Sequence, residues 1–355
     1  MALTGAEKEI KIRGRIAMFQ DSLQKIIKRQ DLDETEMADL MTEIMSGNCT
    51  DAQIGALIGA LTTKGETFAE LTGAARAMRR KAIRIQTTAD TVVDTVGTGG
   101  DKAQTFNIST TSAFVVAGCG VTVAKHGNRS VSSKCGSADV LEALGVRLDV
   151  APEVVEEAIE HVGIGFLFAP VFHGALRYAA KARKEVAVRS IFNMLGPLTN
   201  PAGANCVLVG VYAPALTEMF AQALRLLGTR RAFVVHGHDG LDEITVCAPT
   251  RISELKDGMI RTYDVTPDQL LVRQALPEEL RGGEAAENAQ ITQRILAGEK
   301  GPKRDVVVVN AAAALMAAGV VEDFPEGIRR AEAAIDDGSA AAKLEGLVRY
   351  TRENG

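Results

Sequence analysis

No stretch of this chain is long and apolar enough to span a bilayer. Its longest apolar runs, such as Val306 to Val309 followed by alanines, are short and broken by small or polar residues. The opening residues, MALTGAEKEIKIRGRIAM, mix both charges and lack a continuous apolar core before a small-residue cleavage site. No secretory leader is therefore expected, and the reading is a cytoplasmic protein. Cysteine is sparse: Cys49, Cys119, Cys135, Cys206 and Cys247 lie far apart with no C-x-x-C pair. That spacing fits reduced thiols better than disulfides or zinc. An excess of positive charge is also missing, and a net charge of −5 argues against a chain built to coat nucleic acid. No internal repeat and no low-complexity linker is visible. A small anionic ligand stays open, because it needs only local positive charge and oriented amides.

What is present is material for a large core. With 355 residues, 46% of them apolar, two domains are expected rather than one. Ile16, Phe19, Leu23, Ile26 and Ile27 recur at helical spacing, as do Ile54, Leu57, Ile58 and Leu61. Thr50 with Gln53, and Thr67 with Glu70, have the spacing of capping boxes at helix starts. From about Thr91 the texture changes to β-branched runs alternating with alanine-rich segments: TVVDTVG, GVTVAKHG, CVLVGVY, RAFVVHG and DVVVVN. That alternation predicts an α/β fold with a mainly parallel sheet. A basic helical stretch, LRYAAKARKEVAVRS, interrupts it and is expected to rejoin the helices. The expected division is a small helical domain over 1–88, completed by about 176–198, and an α/β domain formed by 89–175 and 199–355.

Four segments carry chemistry. In VGTGGDKAQTFNIST, from Val96 to Thr110, a predicted strand ends in a glycine loop leading into a helix. Gly97, Gly99 and Gly100 let the backbone offer amides to an anion, and Asn107, Ser109 and Thr110 add side-chain donors. The same composition also makes a plain strand-to-helix turn. It is neither a Walker loop nor a dinucleotide fingerprint. KHGNRSVSSKCGSAD, from Lys125 to Asp139, gathers cations, an imidazole, an amide and hydroxyls at a second strand end. Alone it would pass for a solvated loop. Two such loops at neighbouring strand ends suggest two phosphate groups in the crevice of an open sheet. In HGHDGLDEIT, Asp242 and Glu243 are adjacent on a loop, as magnesium beside a diphosphate requires. An acidic pair is otherwise usually just solvated, and His236 with His238 makes a weak zinc site. From His173 to Arg189, Arg177, Lys181, Arg183, Lys184 and Arg189 face only Glu185. Most of that run reads as a wet helix face, with one arginine able to grip a carboxylate.

Taken in order, GTGGD, TFNIST, KHGNRSVSSKCGSADVLEALG, FNMLGPLTNPA and HGHDGLDEIT resemble the successive motifs of anthranilate phosphoribosyltransferases, and IMSGNCTDAQIGALIGALTTKGET extends the resemblance to the helical N-terminus. The resemblance implies a nucleoside phosphorylase/phosphoribosyltransferase-like fold, a helical domain hinged to an α/β domain. It also implies a homodimer through the helical domain, Mg2+, and phosphoribosyl transfer to anthranilate in tryptophan biosynthesis. Matched motif by motif, Gly97, Gly99, Gly100, Asp101, Thr105, Asn107, Ser109 and Thr110 would hold phosphoribosyl diphosphate. Lys125, His126, Gly127, Asn128, Arg129, Ser130, Ser132, Ser133 and Ser137 would hold it from the other side. Ser109, Asp242 and Glu243 correspond to magnesium positions, and Gly97, Asn128, His173 and Arg183 to anthranilate contacts, with Lys125, Asn128 and Arg183 carrying catalysis. Departures from the family pattern occur at Gly174, Ala187 and Cys135. A pyrimidine nucleoside phosphorylase and a non-catalytic nucleic-acid-binding relative are the rival readings. The acidic pair disfavours the first, and the net negative charge the second.

Overall fold

The computed structural model describes residues 5–100, 103–130 and 134–355. It opens with α1 (Gly5–Ile27), α2 (Glu34–Met45), α3 (Asp51–Lys64) and α4 (Phe68–Lys81). Asp33, Thr50 and Thr67 cap the last three of these helices, each in a reciprocal box with the residue three positions on. The remaining elements are β1 (Val92–Gly97), α5 (Ile108–Gly118), β2 (Thr122–Gly127), α6 (Ser137–Ala143), α7 (Pro152–Val162), β3 (Ile164–Phe168), α8 (Ala169–Phe172), α9 (Arg177–Val186), α10 (Ile191–Met194), β4 (Cys206–Gly210), α11 (Leu216–Leu226), β5 (Arg231–Gly237), β6 (Thr250–Lys256), β7 (Met259–Val265), α12 (Ala285–Leu296), α13 (Pro302–Ala318), α14 (Phe324–Asp336) and α15 (Ser339–Asn354).

These elements form two compact units, one running to Ala82 and including His173–Thr199, the other made of Ile83–Phe172 and Asn200–Gly355. In the first, α2 and α4 pack through Met37, Leu40, Met41, Leu71, Ala74 and Met78. Gly73 permits their close approach, since a Cβ there would lie 3.1 Å from the Ala38 nitrogen. Buried Glu70 accepts the Leu32 and Thr67 amides and pairs with Lys64 at 3.0 Å, so its charge is offset inside the bundle. Helix α9 ends at Ala187, whose φ of 52° places a β-carbon in the left-handed region that favours glycine.

The second unit carries a seven-stranded sheet in the order β3-β2-β1-β4-β5-β6-β7. The first five of these strands are parallel, and β6 and β7 are antiparallel. The α/β reading holds, with one correction. The run DVVVVN is not a strand but lies within α13, where Pro302 starts the helix and left-handed Gly319 stops it. Every residue from Val306 to Leu315 is buried, so a helix enclosed on all sides shows no periodicity to separate it from an interior strand. Among the described residues no helix is long and apolar enough to cross a membrane. All five cysteines are free thiols.

Candidate active site

The chain runs from β1 outward to β2 and β3, then returns to place β4 on the other side of β1. The carboxyl ends of β1 and β4 therefore form the topological switch point, where open α/β sheets hold ligands. There Gly97 pairs with Gly210, and Thr98 donates its amide to the Gly210 oxygen at 2.9 Å. Gly99 and Gly100 follow at φ 68° and 77°, a conformation that a side chain would strain. Asp242 lies over these glycines, its Oδ2 accepting the Gly99 amide at 2.8 Å. A Cβ on Gly97 would stand 2.6 Å from that oxygen, so Gly97 is needed for this close approach. Glu243 Oε1 accepts the Ser109 amide at 3.0 Å in the first turn of α5, whose N-cap Asn107 supplies no side-chain cap of its own. Behind the acidic pair, buried Asn310 of α13 accepts the Ile244 amide at 3.0 Å and donates to the Ile244 and Val306 oxygens at 2.8 Å.

The end of β2 converges on the same place. Strands β1 and β2 pair only at Val92↔Thr122 and Val93↔Val123, whereas β2 stays paired to β3 as far as Gly127↔Phe168. Polar side chains fill the opened seam. Asp94 Oδ1 accepts the His126 amide at 3.1 Å, and Asn200 Nδ2 donates to Asp94 Oδ2 at 2.8 Å and to the Ala124 oxygen at 2.7 Å. Lys125, 3% exposed, donates to the Thr95 oxygen at 2.6 Å. Burial lowers the Lys125 pKa, opposed by the charges of Asp94 and Glu243. Burial likewise pushes Asp94 up to about 6, opposed by Lys125 and by the hydrogen bonds from Asn200 and the main chain.

Other expected contacts are placed more variously. Asn128 and Ser137 bond each other, the Asn128 amide donating to Ser137 Oγ at 3.2 Å. The close fit beside them needs Gly127, because a Cβ there would lie 2.8 Å from the Phe166 ring. Arg129 is engaged by Asp139 at 3.0 Å and Glu142 at 2.8 Å, so its charge is already offset by protein carboxylates. Asp139 also accepts the Ser130 and Gly136 amides. The Thr110 hydroxyl, beside Ser109, is buried with no partner among the described residues. Thr105 sits in an isolated bridge to Arg281. Asp101, Ser132 and Ser133 lie outside the described residues.

The donor set can be tested against a metal. Among the described residues no group of three His, Cys, Asp or Glu side chains is poised for one. Magnesium asks for less, commonly one or two carboxylates with ligand and water oxygens completing the shell. Asp242 and Glu243, with Ser109 beside them, match that demand. Zinc does not fit here, since His236 Nδ1 is bonded to the Val211 oxygen at 2.7 Å and His238 lies 3.6 Å from Asp264. Sequence reasoning passed over Asp94, Asn200 and Asn310. A carboxylate inside the apolar run VVDTV, and the asparagine of LTNP, were the available signals.

In the helical unit, Arg183 stands apart from its basic neighbours. Lys181 pairs with Asp51 at 3.0 Å, and Arg177 lies over its neighbour Tyr178. Arg183 instead stacks over Phe192 at 5.3 Å, and burial alone lowers its pKa, with no carboxylate partner among the described residues. His173 is 4% exposed, and burial brings its pKa down to about 4. It lines a small recess with Met45, Met78, Lys81, Ala175 and Leu176.

Both the sequence and the fold have counterparts among known proteins. Residues 89–341 match the profile of the glycosyl transferase family a/b domain, and residues 20–82 that of the family's helical bundle domain. The anthranilate phosphoribosyltransferase of Syntrophobacter fumaroxidans is 72% identical over 337 residues, covering 95% of this chain and 100% of that protein. That of Desulfatibacillum aliphaticivorans is 67% identical over 338 residues, with 95% and 100% covered. Among solved structures, the Thermus thermophilus enzyme superposes with a TM-score of 0.89 at 43% identity, over 94% of this chain and 99% of that one. The Saccharomyces cerevisiae enzyme, in complex with PRPP and Mg, gives 0.87 at 26% identity over 95% and 98%. With both domain profiles matched and near-complete coverage at such identity, the chain belongs to the anthranilate phosphoribosyltransferase family.

Proposed function

We propose that this chain transfers the phosphoribosyl group of 5-phospho-α-D-ribose 1-diphosphate to anthranilate, giving N-(5-phosphoribosyl)anthranilate and diphosphate in tryptophan biosynthesis. The observation that carries the proposal is the meeting of the glycine loop, the Lys125 strand end and the acidic pair at one switch point, with Gly99 bonded to Asp242 at 2.8 Å and Ser109 to Glu243 at 3.0 Å. Asp242, Glu243 and Ser109 would hold magnesium, which when bound supplies counter-charge to the diphosphate. The loop amides and the α5 N-terminus orient phosphate oxygens, and buried Lys125 adds positive potential beneath them. Arg183, stacked on Phe192 and with no carboxylate partner among the described residues, is suited to grip the anthranilate carboxylate in two parallel hydrogen bonds. Asn128, Gly97 and His173 are its companions by family correspondence.

The aromatic amine is neutral near pH 7 and already nucleophilic, so the site needs no protein nucleophile. The C–N bond forms as the anomeric C–O bond breaks, diphosphate leaves with the bonding pair, and the nitrogen releases a proton. Orientation and preorganised charge carry most of the acceleration. A homodimer through the helical unit and a cytoplasmic location complete the reading. The test is to mix the protein with magnesium, phosphoribosyl diphosphate and anthranilate and to follow the loss of anthranilate fluorescence. A flat trace, or phosphorolysis of thymidine or uridine in its place, overturns the proposal. Asp242→Asn with Glu243→Gln is expected to abolish the magnesium dependence along with most turnover.

A further inference from the structure

Helix α12 lies outside every motif considered so far, yet it puts one side chain beneath both phosphate loops. Asn288 is 1% exposed. The segment before it is laid along the exit of the glycine loop. The Gly282 amide donates to the Gln104 oxygen at 3.0 Å, Phe106 donates to Leu280 at 3.4 Å, and Thr105 bridges Arg281. Gly282 allows this, since a Cβ would lie 2.6 Å from the Phe106 Cα. Gln104 turns there at φ 54°.

The side-chain bonds run in one direction. The Gly283 amide donates to Asn288 Oδ1 at 2.8 Å, which fixes that oxygen as the acceptor end. Asn288 Nδ2 must then face Asn107, and it donates to Asn107 Oδ1 at 3.0 Å. Asn107 Nδ2 is thereby turned to the Cys135 oxygen in the second loop, at 3.2 Å. The Cys135 thiol closes the triangle, donating back to Asn107 Oδ1 at 3.3 Å. Rotating either amide would set donor against donor and oxygen against oxygen. A main-chain amide of the α12 approach thus dictates which edge of Asn107 is offered to a ligand, and ties the Cys135 loop to the glycine loop.

We infer that Asn288 is a positioning residue for phosphoribosyl diphosphate: through Asn107 and Cys135 it holds the two phosphate-binding loops in one register. The inference rests on the function proposed above. Its test compares Asn288→Ala and the isosteric Asn288→Asp in the natural background and in Asn107→Ala. The readouts are steady-state kinetics and calorimetric binding of phosphoribosyl diphosphate with magnesium. Either Asn288 variant should raise the KM and Kd for phosphoribosyl diphosphate about tenfold, as loss of a buried hydrogen bond does, with the anthranilate KM unmoved and kcat within about threefold. In the Asn107→Ala background neither should add to the loss, because the partner is already gone. Unchanged KM and Kd in a folded Asn288→Asp protein overturn the inference. So does a full additional loss in the Asn107→Ala background, which would make Asn288 a support of α12 alone. A natural protein that neither binds nor turns over phosphoribosyl diphosphate overturns the function and this inference together.

Discussion

Gly210→Ala is the sharpest test of the switch-point geometry, because it changes no polar group. Gly210 closes β4, and a methyl carbon there would overlap the main-chain carbonyl of Asp242 and lie 3.2 Å from its Cα. The obstacle is backbone, which cannot swing aside as a flexible side chain would. An ordinary carbon contact requires that carbonyl to retreat by roughly 1.5 to 2 Å. The acidic loop is tethered on its far side by Asn310, so the retreat must fall on Asp242 and Glu243 themselves. Their bonds to the Gly99 and Ser109 amides, at 2.8 and 3.0 Å, cannot survive a shift of that size. A misplacement of about 1 Å at a reacting centre can cost about a hundredfold in rate, so kcat/KM should fall by at least about that factor. The magnesium concentration for half-maximal rate should rise about tenfold. The assay is anthranilate fluorescence across a magnesium titration, with circular dichroism and a thermal melt to establish that the variant folds. Gly59→Ala is the control. It lies in α3 with nothing within 4 Å of an added Cβ, so activity should be unchanged and stability should rise by about 0.5–1 kcal/mol. A folded Gly210→Ala protein with natural kcat/KM and magnesium midpoint would refute the placement of the acidic pair over the glycines.

Three further outcomes follow from the helical unit. Ala187→Gly should raise stability by about 1 kcal/mol in urea titrations, since Ala187 caps α9 at φ 52°, and an unchanged midpoint would mean the turn is unstrained. Arg183→Lys should raise the anthranilate KM about tenfold while leaving that for phosphoribosyl diphosphate unmoved, because a lysine can neither stack on Phe192 nor form the paired bonds; equal effects on both substrates would remove Arg183 from the acceptor site. Burial holds His173 at about 4 against 6.5 for the free side chain. A base depressed in the folded state contributes stability above its unfolded pKa and loses it as pH falls through the folded one. Between about pH 7.5 and about pH 5 the protein should therefore lose about 2 kcal/mol that His173→Gln does not, and parallel pH profiles for the two would discard that account.

Local signals proved readable where the physics is local. The capping boxes at Thr50 and Thr67 need only two side chains and one helical turn, and both form. The glycine loop and acidic pair were visible as chemistry, because clustered glycines and paired carboxylates have few cheaper explanations together. The hairpin of β6 and β7 is equally local, turning on Asp257 and Gly258 at φ 53° and 76°, the pattern an Asp-Gly pair announces. The polar seam was not readable. Asp94, Asn200 and Asn310 matter through partners roughly a hundred residues away or on another element, and no spacing rule joins Asp94 to Asn200. Misreading DVVVVN as a strand concealed Asn310 as well, since only on a helix does it reach both Val306 and the acidic loop.

The departures from the family pattern separate along the same line. Gly174 borders open space, where an added Cβ would meet nothing within 4 Å, so a glycine there loosens the backbone without opening a cavity. Ala187 stores a small backbone strain in the helical unit. Cys135 is the departure that reaches the proposed chemistry. Its thiol is engaged with Asn107 at 3.3 Å, and burial pushes its pKa up to about 11, so it is a neutral hydrogen-bond donor rather than a reactive thiolate. A serine there would make the same bond shorter and stronger. The substitution therefore acts on how firmly the second loop is tied to the first, and its effect belongs in the affinity for phosphoribosyl diphosphate rather than in the rate of the transfer step.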